Sequence, residues 1–117
     1  VAGTNQIKEK SYAFALSIVK AAEMLQEGKE FVLSKQLLRS GTSIGANVEE
    51  AGAAQSKRDF IAKMSIASKE ARETHYWLRL LTDTSYLDNV TSRQLLDDCL
   101  ELIKLLTAIV KTAQSNN

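Results

Sequence analysis

The sequence predicts an all-α protein, an antiparallel up-down-up-down four-helix bundle, and two observations carry that expectation. Apolar or small residues recur at alternating spacings of three and four in four separate segments, the signature of helices with one buried stripe. Proline is absent, and glycine is confined to Gly3, Gly28, Gly41, Gly45 and Gly52, so the punctuation of a turn-rich β protein is missing.

The first stripe reads Ile7, Ser11, Phe14, Ile18, Ala21, Leu25. It predicts a helix over 5–27, ending before Gly28, a residue suited to a left-handed C-terminal cap. The second reads Leu37, Gly41, Ile44, Val48, Ala51 and predicts a helix over 30–53. A mid-helix glycine costs about 1 kcal/mol relative to alanine, so Gly41 and Gly45 imply compensation by close packing against a neighbouring helix. Ser56 and Asp59 form an approximate capping box that opens a helix over 57–82, with Phe60, Met64, Ala67, Ala71, Thr74, Leu78 and Leu81 on its stripe. The segment 82–90 lacks the period, is rich in turn formers and predicts the longest loop. Thr91 to Gln94 fits a Ser/Thr-x-x-Glu/Gln box and predicts the last helix over 91–114, with Leu95, Cys99, Leu102, Leu106, Ile109 and Ala113 inward. Helices of about 23–26 residues are roughly 35–39 Å long at 1.5 Å per residue. Matched lengths and short loops make successive neighbours antiparallel.

At 117 residues, one domain over 1–117 with one core is expected. Apolar runs such as Leu37-Leu38 and Leu105-Leu106 are short and flanked by charge, far from the roughly 20 apolar residues of a membrane span. The segment from Val1 to Lys10 is polar and has no secretory core, so a cytoplasmic location is expected. Cys99 is the only cysteine, which excludes an intramolecular disulfide and any Cys-x-x-Cys site. Lys and Arg exceed Asp and Glu by 15 to 14, so overall charge points to no polyanionic partner and only a local patch would.

Bundle cores can hold carboxylate-bridged metal pairs, which need two Glu-x-x-His units. His75 is the only histidine and Arg72 precedes it by three, so no such unit can be written. Glu49, Glu50, Glu70 and Glu73 lie off the apolar stripes, as solvated or ion-paired carboxylates do. Neither Cys99 nor His75 belongs to a nucleophile motif, Ser43 lies inside a helix, and no phosphate-cradling glycine loop occurs. The reading is therefore of a non-enzymatic protein with no catalytic residues, metal, cofactor or small-molecule substrate.

Two surfaces remain. Residues 56–82 carry six basic residues against three acidic ones. Arg58, Lys69, Arg72, Tyr76 and Arg79 fall on one outer stripe, a pattern that can grip phosphates and stack a base. An ordinary solvated helix face explains the same residues. Trp77, Leu80, Leu96, Ile103 and Val110 are large apolar residues outside the strict stripes; they either cover the core from the side or bury against further copies of the chain.

The run from Ser34 to Ala51, with Arg39, Ser43, Ile44, Asn47 and Glu50 at its centre, is followed by Ser56 to Phe60 and Ile66 to Leu80. Together they resemble the four-helix bundle proteins encoded by intervening sequences of bacterial 23S ribosomal RNA genes. The resemblance runs from about Ile7 to Lys111. It implies a homopentameric ring and no established activity. A distant relative, the accessory variability protein of diversity-generating retroelements, is a strongly basic pentamer that binds nucleic acid; the near-neutral charge here departs from it. The expectation is a self-assembling binding or scaffold protein with an RNA or protein partner; the alternative is a nucleic-acid-binding accessory protein using the helix 3 stripe.

Overall fold

A computed structural model describes residues 4–116. Four helices occur in them: α1, Thr4–Glu27; α2, Leu33–Gly52; α3, Lys57–Asp83; and α4, Asn89–Ser115. Each helix packs against its chain neighbours and α1 closes the square on α4, within a rod of 49 × 20 × 19 Å. Side-chain pairings fix the directions. Lys8 meets Glu49 while Ile18 meets Gly41; Glu50 meets Lys63 while Arg39 meets Glu70 and Glu73. Thr82 on α3 shares a groove with Asn89 and Ser92 on α4, while Ser65 shares one with Val110 and Gln114. Numbers rise on one helix as they fall on the next, so successive helices are antiparallel.

The core is built by the predicted stripes. Ile7, Phe14, Ile18 and Leu25 from α1, Leu37, Ile44 and Val48 from α2, Met64, Leu78 and Leu81 from α3, and Leu95, Cys99, Leu102 and Leu106 from α4 form one buried cluster. Among the buried polar residues the hydroxyls of Ser34 and Ser92 have no hydrogen-bond partner, whereas those between α2 and α3 are paired. The Thr74 hydroxyl lies 2.9 Å from that of Ser40 and 2.8 Å from the Glu70 carbonyl oxygen, so the α2–α3 seam buries hydroxyls as hydrogen-bonded pairs. Gly41 and Gly45 sit where α2 meets α1: a Cβ on Gly41 would press on Ile18, and one on Gly45 would touch the Ser11 backbone. The missing side chains let the two backbones approach, the packing return expected for glycine inside a helix.

The ends of three helices differ from the sequence expectation. Gly28 does not take the left-handed conformation after α1. Lys29 does, at φ 66°, and the Glu30 N–H reaches the Leu25 carbonyl at 2.8 Å while the Lys29 N–H reaches that of Gln26 at 2.9 Å. This paired closure holds Glu30 outside any helix. The Glu30 carboxylate accepts from the Ser34 N–H at 2.8 Å, so α2 starts at Leu33 rather than at 30. Ser85, also at φ 66°, ends α3 the same way, with the Tyr86 N–H on the Leu81 carbonyl at 2.9 Å.

Asp88, and not Thr91, caps α4. Its carboxylate accepts from both the N–H and the hydroxyl of Thr91 at 2.8 Å. A carboxylate at this position also meets the positive end of the helix dipole, which favours it over threonine. Gln94 donates instead to Asp98 at 3.0 Å. The loop expected over 82–90 thus shrinks to 84–88, with Leu87 buried as its anchor. At α3 the expected cap holds: the Ser56 hydroxyl accepts from the Asp59 N–H at 3.0 Å.

Candidate functional site

The two edges of α3 differ in charge. On the edge facing α2, Glu50, Glu70 and Glu73 are all engaged. Arg39 forks between Glu70, at 3.0 Å, and Glu73, and Glu73 also accepts from the Trp77 indole N–H at 3.1 Å. Lys63 binds Glu50 at 2.8 Å, and that hydrogen bond, with the charge of Glu50, raises the lysine pKa. Glu70 is only 9% exposed, so its carboxylate depends on Arg39 for compensation.

The residues of the recognisable α2 run have a structural role on this edge. Arg39 and Glu50 cross to α3, and Ile44 is fully buried. The Ser43 hydroxyl donates to the Arg39 carbonyl at 2.6 Å and the Asn47 amide to the Ser43 carbonyl at 2.9 Å, keeping polar groups satisfied along α2. Arg39 and Glu50 thereby clamp α2 to α3.

The edge facing α4 and solvent is cationic. Among the described residues, Arg58, Lys69, Arg72 and Arg79 are all exposed and none forms an ion pair with a carboxylate. Arg72 reaches across to α4, where its guanidinium donates to the Thr107 hydroxyl at 3.2 Å. Tyr76 is 47% exposed, with the Arg79 guanidinium 5.9 Å from its ring centroid and Trp77 set edge-on at 5.1 Å. The ring is thus flanked by the arginine over one face and by the Trp77 indole. The stripe does not end on α3. Lys111 on α4 lines a groove with Arg72, Ser65, Ser68, Thr107, Val110 and Gln114. Lys111 escaped the sequence reading because only the structure brings its helix alongside α3.

The apolar residues left over from the stripes divide into two kinds. Trp77, Leu96, Ile103 and Val110 are half-buried and pack against the chain's own core, and Leu80 is half-buried as well. A different set is open to solvent: Tyr12, Leu16 and Val19 on α1 are 65%, 52% and 40% exposed. Their i, i+4, i+7 spacing places them on one face of α1, away from its buried stripe. That spacing was legible in the sequence as a second, outward stripe.

The groups most able to do covalent chemistry are held inert or apart. Burial pushes the Cys99 thiol up to about 12, and its S–H points to the Ala71 carbonyl at 3.2 Å. Burial, and then the charge of Arg79, lowers the His75 pKa. Among the described residues no three His, Cys, Asp or Glu side chains gather as a metal site. No helix in them is long and apolar enough to cross a membrane.

Comparison with known proteins supplies the ancestry. No curated protein matches the chain. Among solved structures, a protein with unknown function from the S23 ribosomal protein family of Bacteroides thetaiotaomicron is 52% identical, with a TM-score of 0.89 over 92% of this chain and 97% of that one. Residues 3–108 match the profile of the 23S rRNA-intervening sequence protein. The match runs from α1 into α4 and takes in the ion pairs between α2 and α3 and the cationic edge of α3, and the chain belongs to the 23S rRNA-intervening sequence protein family.

Proposed function

We propose that this chain is a non-enzymatic scaffold that assembles with copies of itself into a homopentameric ring in the cytoplasm and presents its polar surface to a protein or RNA partner. The observation that carries the reading is the outward stripe of Tyr12, Leu16 and Val19. A contiguous apolar face of this kind is seldom left in water. A ring with an odd number of subunits needs two different surfaces that meet head to tail. The α1 stripe is one, and Trp77 and Leu80 on α3 supply the other. Leu96, Ile103 and Val110 on α4 are further candidates for this second surface; like Trp77 they are half-buried against their own core. The protonated, buried Cys99 supports a binding role over a catalytic one. Light scattering at micromolar protein tests the reading: a homopentamer supports it, and a 12.9 kDa species alone contradicts it.

A second reading, nucleic-acid binding, is favoured by the cations Arg58, Lys69, Arg72 and Arg79, none of them ion-paired, beside the half-exposed ring of Tyr76. Repetition around a ring would add weak phosphate contacts through multivalency. Its test is the salt dependence of RNA binding, with a slope of about 0.7 per phosphate on single strands. Replacing Lys69, Arg72 and Arg79 together by Gln should flatten that slope.

A further inference from the structure

We propose that the groove between the N-terminal half of α3 and the C-terminal half of α4 is a subsite for one phosphate group, gripped by Arg72 and Lys111 and completed by the neutral donors Ser65, Ser68 and Gln114. The groove has a volume of ≈ 270 Å³. It is open to solvent and has room for a phosphate group.

Three features distinguish it from a solvated basic patch. First, no carboxylate lines it: the acids of α3 nearest in sequence, Glu70 and Glu73, are turned to the opposite edge and held by Arg39. Second, Arg72 is already oriented. Its guanidinium spends one N–H on the Thr107 hydroxyl at 3.2 Å, and Thr107 in turn donates to the Ile103 carbonyl at 2.7 Å. This bridge holds the guanidinium across the groove with its remaining donors free, and a fixed planar donor set suits a phosphate better than a mobile lysine does. Third, the two cations come from different helices and share the groove's lining with hydroxyl and amide side chains, so an oxyanion there can receive charged and neutral hydrogen bonds together. Single charges on an exposed helix offer no such convergence.

The phosphate can belong to a nucleic-acid backbone or to a small phosphorylated molecule, and the inference concerns the group they share. It stands apart from the self-assembly reading and gives the nucleic-acid reading a defined contact.

The test is an NMR titration of isotope-labelled protein at constant ionic strength with sodium pyrophosphate against sodium chloride, and in a second arm with a single-stranded oligouridylate. Saturable shifts centred on Ser65, Ser68, Thr107, Lys111 and Gln114 in either arm support the subsite. Saturation by pyrophosphate alone assigns the source to a small molecule and removes support from the nucleic-acid reading, whereas tighter saturation by oligouridylate assigns it to a polymer backbone. Arg72→Gln and Lys111→Gln, both at exposed positions, are each expected to weaken binding about tenfold. Lys35→Gln removes the same charge from the exposed face of α2, outside both the groove and the α3 stripe, and should weaken binding less than about twofold. No saturable shift in either arm, or equal losses from Arg72→Gln and Lys35→Gln, overturns the proposal.

Discussion

The backbone of Gly41 lies so close to Ile18 that a Cβ on the glycine would sit 2.8 Å from both Cγ1 and Cγ2 of the isoleucine. Ile18 is fully buried and, being β-branched, stiff at χ1, so it has little room to yield. Gly41→Ala is therefore expected to destabilise the bundle by about 1–3 kcal/mol, although alanine is about 1 kcal/mol better than glycine within a helix. Gly52→Ala, where no atom lies within 4 Å of the added carbon, should be neutral or stabilising. Denaturant midpoints of the two variants make the comparison, and an unchanged or higher midpoint for Gly41→Ala would show that the contact is not tight.

Lys29 carries a left-handed backbone that glycine adopts without penalty. Lys29→Gly should raise stability by about 0.5–1 kcal/mol, the steric relief being partly offset by the freer unfolded chain. Ser85→Gly should act in the same direction at the end of α3. A thermal midpoint that falls in both variants would contradict the assignment of these residues as the helix-closing positions.

Stability should also depend on pH through His75 and Asp88. Burial and Arg79 hold the His75 pKa below 6.5, so as pH falls through 6.5 the unfolded chain takes up a proton that the folded chain resists. Stability is then lost on acidification and levels off below the folded pKa. Hydrogen bonds from the backbone and then the hydroxyl of Thr91 hold the Asp88 carboxyl below 3.8. Its contribution is present above 3.8 and is lost as pH falls through the lower folded value. Urea midpoints measured between about pH 8 and about pH 5 should decline for the wild type and decline less for His75→Gln. Identical profiles would remove His75 from the account.

Cys99 should react only when the core opens. With its thiol pushed up to about 12 and buried against Ala71, the thiolate is scarce and unreachable in the folded protein. Alkylation under native conditions is expected to proceed at the rate of unfolding, and rapid labelling of folded protein would show that the α3–α4 seam is open to reagents.

The helices were legible because their signal is periodic. All six residues of the α1 stripe and all six of the α4 stripe are buried, since a three-and-four spacing has one geometrical outcome on a helix. The helix ends were less legible, because several residues compete for one cap. Thr91 fitted the spacing rule, but Asp88 brings charge as well as a hydrogen-bond acceptor. Gly28 was the evident left-handed residue, yet the paired closure onto Leu25 and Gln26 falls one residue later, on Lys29. The candidate surfaces were legible by halves. The α3 stripe follows from one helix, whereas the groove between Arg72 and Lys111 needs the register of two. The outward row of Tyr12, Leu16 and Val19 is as periodic as the buried stripe, but spacing alone does not tell an exposed apolar row from a widened core face.

Self-assembly through that row is the central claim, and sedimentation of the wild type beside Leu16→Glu tests it most directly. Leu16 is 52% exposed, so the substitution places a charge on the outer face without entering the core. The account predicts a homopentamer for the wild type and a 12.9 kDa monomer of unchanged helicity for Leu16→Glu. A monomeric wild type, or a Leu16→Glu variant that assembles as the wild type does, would contradict it.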